Sequence, residues 1–431
     1  MHGTRLRRTA IALTGLATLL IAAACGGADS STPAAGGGAT SAAEGSGDST
    51  GSASAGGGEL AVLIGSSGPP ETAAVEAASA AFAKESGTAV TVTAAQDLPQ
   101  QLAQGFASGQ SPDVFYVSGD NFATYAKAGN LLAYGDQLSN ADDFYPALKA
   151  QFTYEDQFYC APKDMSTLAL FINTDMWTAA GLTDADIPKN WDEFSAVAQK
   201  LTKPPVVGLT VAPTRDRMNV FLLQNGSFLV SEDGKTVTAN DPKNVEALKY
   251  VQSLYKDGSL KFPAELGAGW AGEAFGKQLA AMTIEGPWLL GAMAKDYPTV
   301  KFTVAPLPAG PNGDQGTLAF TNCWGVSATT KYPEQAKAYA EYMTAKEQQL
   351  EFAKAFGVIP SIESAKADYL AEFPDNQAFV DGIANARGVV GIAGIADVLA
   401  DFDAQLDGLA KADPQAILDS VQQNLTDAIG G

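Results

Sequence analysis

The chain has 431 residues, with 27 basic and 48 acidic side chains and a net charge of −21. It is too long for a single hydrophobic core, and its acidity argues against nucleic acid and anionic lipid headgroups as partners. Its one histidine is His2, inside the export segment described below, so the exported chain lacks Ser-His-Asp, Cys-His and histidine–zinc machinery. No GxxxxGKS/T loop and no strand-GxGxxG-helix pattern is present, and neither cofactor nor metal is expected. Hydrolysis of glycosidic bonds by a carboxylate pair survives this filter.

Arg5, Arg7 and Arg8 precede an apolar run from Thr9 to Ala24 that is too short to span a membrane. Residues 1–24 therefore read as an export signal. Cys25 after Ala22, Ala23 and Ala24 resembles a bacterial lipobox, in which the thiol takes a diacylglycerol and becomes the new N-terminus; Ala22 stands where leucine is usual. The alternative is an ordinary cleaved signal with an incidental cysteine. Removing the signal takes away three arginines and no acid, which makes the remainder still more acidic. From Cys25 to Gly58 nearly every residue is Gly, Ala, Ser, Thr, Asp or Glu, a composition that cannot bury a core and reads as a flexible tether.

The body begins at Glu59. Periodicity predicts a strand at Leu60–Ile64, a helix at Glu71–Ser86, a strand at Ala89–Thr93, a helix at Gln100–Ser108 and a strand at Val114–Val117. Further strands are expected at Thr167–Ile172, Val207–Val211, Ala280–Ile284, Phe302–Ala305 and Trp324–Ser327. Helices are expected at Trp191–Leu201 and Asn244–Asp257, with two helical runs over Pro333–Phe356 and a mostly helical C-terminal third. Such alternation favours parallel sheets covered by helices, with a ligand at the carboxyl ends of strands. Cys160 and Cys323 are an even pair in an exported chain, which suggests a disulfide; two buried free thiols are the alternative.

Four stretches in order carry a resemblance: DVFYVSGDNFATYAKAGNLLAYGD from Asp113, YCAPKDMSTLALFINTDMWTAAGL from Tyr159 followed by NWDEFSAVAQKLT from Asn190, AAMTIEGPW from Ala280, and WGVSATTKYPEQAKAYAEYM from Trp324. Together they resemble the family 1 extracellular solute-binding proteins of ABC importers, the maltose/maltodextrin-binding group, across most of the chain after the linker. The resemblance implies an α/β, two-lobed periplasmic-binding-protein-like fold with several hinge-crossing strands. Its first lobe would be 59–162 plus 327–390, and its second 163–326 plus 391–431. It also places Cys160 and Cys323 on crossing strands beside the hinge.

Function under this resemblance is capture of a carbohydrate between the lobes by hinge closure and delivery to importer permease subunits, with no catalytic residue. The protein would be a monomer on the outer face of the cell membrane, touching the membrane through its lipid anchor alone. A secreted glycoside hydrolase, or a binder of peptide or metal chelate, are the alternatives. Ser67, Asp120, Lys163, Asp164, Ser166, Trp270, Glu285, Trp288 and Trp324 are the candidate ligand-binding residues. Asp120 lies between a strand and a helix, where it accepts hydrogen bonds from hydroxyls or caps the helix. Lys163, Asp164 and Ser166 line the cleft, or Lys163 and Asp164 form a salt-bridged turn. Trp288 follows a tight Glu285-Gly286-Pro287 turn and offers an indole face, which suits the C–H patches of sugars; Trp270 and Trp324 add platforms or pack in the core.

Overall fold

The computed structural model describes residues 58–231 and 234–430; the export signal, Cys25 and the linker up to residue 57 lie outside the described residues. The chain enters through β1 (Glu59–Ile64), α1 (Pro69–Ser86), β2 (Ala89–Ala94), α2 (Leu98–Ser108), β3 (Val114–Ser118) and α3 (Gly119–Lys127). Two prolines open α1 and Gly87 closes it at φ 73°, while the Asp97 side chain accepts from Gln100 N to cap α2. Next come α4 (Pro146–Gln151), β4 (Ala161–Pro162), β5 (Ala169–Asn173), α5 (Trp191–Leu201), β6 (Val207–Thr210), α6 (Arg215–Gln224) and α7 (Pro242–Lys256). They are followed by β7 (Leu260–Lys261), β8 (Ala280–Glu285), α8 (Trp288–Asp296), β9 (Phe302–Ala305) and β10 (Asn322–Val326). The helices α9 (Pro333–Met343), α10 (Lys346–Phe356), α11 (Ile395–Leu406) and α12 (Pro414–Gly430) dominate the remainder.

Two five-stranded sheets organise these elements, in orders β2-β1-β3-β10-β4 and β9-β5-β8-β6-β7. Both are mixed. In the first, β1 runs parallel to β2 and β3, but β10 runs antiparallel to β3 and β4. In the second, β5 is antiparallel to both β8 and β9, whereas β6 is parallel to β7 and β8. The parallel pairing expected from the alternation holds for β1 with β2 and β3 and for β6 with β7 and β8, while strands entering from the other lobe insert in the opposite direction. Every residue of β5 and β8 is buried, as expected where helices cover both faces of a sheet.

Separate cores surround the two sheets. Leu60, Phe115, Phe122, Trp324 and Tyr339 belong to the first, and Ile172, Trp191, Phe221, Ile284 and Phe402 to the second. A third cluster joins Phe171, Phe275 and Leu289 with Phe379 and Val380. Two stretches thus fall on the other side of the boundaries drawn from sequence. β10 belongs to the first sheet although it lies within 163–326, and residues 378–383 pack with the second sheet although they lie within 327–390. In both cases long-range pairing, which has no local signature, decides the side.

The chain leaves the first sheet after Pro162 and enters the second at Ala169. On the way Met165 pairs with Ile359 and Ser166 with Phe320, so several crossing segments run side by side. Cys160 and Cys323 are disulfide-bonded, with Cα atoms 5.6 Å apart. They tie the approach to β4 to its neighbour β10 inside the first sheet.

Candidate functional site

A cavity of about 420 Å³ lies between the lobes, walled by the loop after β1, by the N-terminal parts of α3 and α6, by the crossing segments and by the start of α8. Ser67, Asp120, Lys163, Asp164, Ser166 and Trp288 all line it.

On the first lobe the polar wall is a buried ion cluster. Lys163 Nζ donates to Glu71 Oε1 at 2.9 Å and to Asp164 Oδ2. Ser67 donates to Glu71 Oε2 through its backbone N (2.7 Å) and its hydroxyl (2.6 Å), and the Tyr116 hydroxyl donates to Glu71 Oε1. Burial alone would raise the Glu71 pKa, but Lys163 and the Ser67 hydrogen bonds outweigh it and hold the carboxyl below its ordinary range. Asp164 is raised instead, by burial first, with Lys163 opposing and the Glu71 charge adding. Two carboxylates therefore share one ammonium, and Asp164 is the less satisfied of them. Lys163 and Asp164 do form a salt bridge, yet both face the cavity.

On the second lobe, Arg217 donates to Glu285 Oε2 at 2.5 Å and to the Ile284 carbonyl at 3.1 Å. Trp288 Nε1 donates to the same Glu285 oxygen at 2.8 Å. Glu285 is buried behind the indole and holds it in place. Phe320 meets the Trp288 ring edge-on at 5.6 Å, and Trp288 remains 39% exposed. Its N–H is engaged and the Arg217 guanidinium lies over its ring, 5.6 Å from the centroid, so only the opposite side of the indole is left for a ligand.

The lobes also touch across the cleft. Arg215, at the start of α6, donates through Nη2 to Asp120 Oδ2 at 2.6 Å, and its backbone N donates to Asp403 Oδ1 on α11 at 2.7 Å. Burial lowers the Arg215 pKa, but Asp120, Asp216 and Asp403 together raise it further. Gly394 N, just before α11, donates to Thr124 Oγ1 on α3, a second tie from α3 to the other lobe. Asp120 sits in the first turn of α3 and makes no cap; Ser118 holds the N-cap position.

Two expected platforms do not reach the cavity. Trp324 is fully buried in the first core, edge-on to Tyr116 at 4.8 Å and to Tyr339 at 5.5 Å. An indole on an interior strand flanked by helices has no route to the cleft. Trp270 is exposed but lies outside the cavity lining, at the N-cap of the helix Ala271–Gly276, with its ring end close over Gly272. Conversely, sequence reading missed Glu71, Gln151, Arg215, Asn219 and Phe320. Glu71 and Arg215 repeat the strand–loop–helix placement that singled out Asp120, and that signal could have found them. The amides on α4 and α6 carry none.

Residues 77–381 match the family described as bacterial extracellular solute-binding protein. A binding protein of Brucella abortus is 28% identical over 274 residues, which cover 60% of this chain and 65% of that protein. The maltodextrin-binding protein MdxE of Bacillus subtilis is 27% identical over 282 residues, 62% of this chain and 65% of MdxE. The chain thus aligns with just under two thirds of the length of these relatives. Among solved structures, the GacH receptor of Streptomyces glaucescens, crystallised unliganded and with acarbose, superposes with a TM-score of 0.75 over 87% of this chain and 98% of its own, at 23% identity. Two α/β lobes around a cleft and a family match over most of the length lead to one conclusion: this chain belongs to the bacterial extracellular solute-binding proteins.

Proposed function

We propose that this protein is the lipid-anchored binding component of an ABC importer and closes its lobes on a sugar or oligosaccharide. The observation that carries this reading is Trp288, an indole pinned through its N–H to Glu285 and still 39% exposed, in the wall of a cavity that combines apolar side chains with carboxylates and amides. A sugar needs that combination: a flat apolar surface for its C–H face and hydrogen-bonding groups around its rim. Asp120, Lys163, Asp164, Ser166 and Ser67 are the proposed polar contacts, with Glu285 as the group that positions Trp288. The maltodextrin-binding relative supports the ligand class. Delivery is to permease subunits, by a monomer tethered at Cys25.

A thermal-shift screen of the exported chain against sugars, polyols, peptides and metal complexes tests this. Binding to the native state alone raises stability by about 2.7 kcal/mol at a hundredfold excess over Kd. Stabilisation by a sugar, with the sugar recovered intact after prolonged incubation, is the expected outcome. Stabilisation by peptides or metal complexes alone, or cleavage of the sugar, would replace this reading.

A further inference from the structure

Of the four carboxylates that line the cavity, Asp120 is paired with Arg215, and Asp216 is half exposed to water. The other two, Glu71 and Asp164, share Lys163 and share it unequally. Glu71 accepts four hydrogen bonds, two from Ser67, one from Tyr116 and one from Lys163. Asp164 accepts one, from Lys163 on Oδ2. Among the described residues nothing donates to its Oδ1. The residue is only 6% exposed, yet Oδ1 is not sealed off as the amide oxygens of Gln151 and Asn219 are; it opens on the cavity that Asp164 lines.

The Lys163 ammonium does not make up the difference. Besides the two carboxylates it is flanked by the rings of Tyr116 and Phe356, at 4.9 and 5.4 Å, so it is enclosed in the wall. Arg387, the third cation of the lining, sits on the second lobe, over the Phe228 ring and donating to the Val230 carbonyl. The first-lobe wall thus sets two buried negative charges against one positive charge. Burial raises the Asp164 pKa, Lys163 pulls the other way and the Glu71 charge adds to the rise, so the ionised form is short of positive charge. A ligand hydroxyl on Oδ1 would supply a hydrogen bond but no charge. A protonated amine supplies both, and their attraction is strong where water is excluded. The fold has already stripped Asp164 of most of its water, so binding removes chiefly the hydration of the amine.

We propose that Asp164 is the seat of a cationic nitrogen: the cleft takes an amino sugar whose ammonium donates to Asp164 Oδ1. This rests on the sugar reading and deepens it by assigning the ligand a positive charge and naming the residue that receives it.

Asp164→Asn keeps the shape and an acceptor and removes the charge. Calorimetry of the full exported chain at neutral pH would compare glucose with glucosamine, cellobiose with its diamino analogue chitobiose, and trehalose with trehalosamine. Putrescine and lysine serve as amines that are not sugars. In at least one pair the amino sugar is expected to bind wild type at least about tenfold more tightly than its neutral counterpart. Asp164→Asn is expected to lose that advantage and to bind the neutral counterpart within about twofold of wild type. A second measurement on wild type needs no substitution: raising the pH until the sugar amine is neutral should abolish the advantage, and an advantage that persists overturns the proposal. If neutral sugars bind wild type and no amino sugar exceeds its counterpart, the ammonium subsite is overturned and the sugar reading stands. An advantage that survives in Asp164→Asn overturns the assignment to Asp164. If no sugar of either kind binds, the sugar reading falls; the subsite stands if putrescine or lysine binds wild type and loses at least about tenfold in Asp164→Asn, and falls as well if neither does.

Discussion

Trp288 and Glu71 exert their effects by different routes. The indole is fixed from behind by Glu285 and contributes contact area, so its removal leaves the fold intact and the cleft wetter. Trp288→Ala should cost on the order of 2 kcal/mol of sugar affinity, about thirtyfold, read by calorimetry. Glu71 contributes to the fold itself. Its pKa is lower folded than unfolded, so the stability it adds is present above its ordinary value and is lost as pH falls below that value. Asp164 has the opposite sign, since a raised folded pKa makes its ionisation costly. The urea midpoint of wild type should therefore fall as pH is lowered below about 4.5, the ordinary glutamate value, and fall less steeply in Glu71→Gln. At this scale the sequence disclosed carboxylates and indoles placed just after strands. It left Trp324 open between platform and core, because only the helices that cover its strand bury it. It was silent on Gln151 and Asn219, whose helical positions resemble those of any polar surface residue.

Among the elements, α3 is joined across the cleft to the start of α6 by Asp120–Arg215 and to the start of α11 by the hydrogen bond from Gly394 to Thr124. The ion pair is partly exposed, so it contributes about 1 kcal/mol or less, enough to bias closure without dictating it. Asp120→Asn should raise the unliganded radius of gyration measured by small-angle scattering, and a saturating sugar should bring it back toward the compact value. Within the first sheet, the Cys160–Cys323 bond spans a sequence separation of 163 residues. Replacing both cysteines with alanine should cost up to roughly 5 kcal/mol on the chain-entropy view, seen as a lowered denaturant midpoint. Sugar affinity should change little, because neither cysteine lines the cavity. The strand and helix positions were legible because apolar periodicity is a local property; β1, α2, β3, α5 and β9 fall within a few residues of expectation. Strand direction was not, since β10 takes its orientation from β3, about two hundred residues earlier in the chain.

For the molecule as a whole, the proposed anchor is tested at Cys25: Cys25→Ser should move the protein from the membrane fraction to the medium, as followed by immunoblotting of both fractions. No described helix is long and apolar enough to cross a membrane. The placement of β10 also bears on how the protein is made. Export proceeds from the N-terminus, so β1 to β4 emerge well before β10, and until residue 326 has crossed, the sheet they belong to has a gap between β3 and β4. Through that interval Cys160 has no Cys323 to join, and two strand edges stand unpaired, the condition in which chains associate wrongly. The N-terminal lobe is thus the first to arrive and cannot be the first to finish. Its maturation waits on translocation of most of the lobe that follows it, which makes folding outside the cell a task for the nearly complete chain.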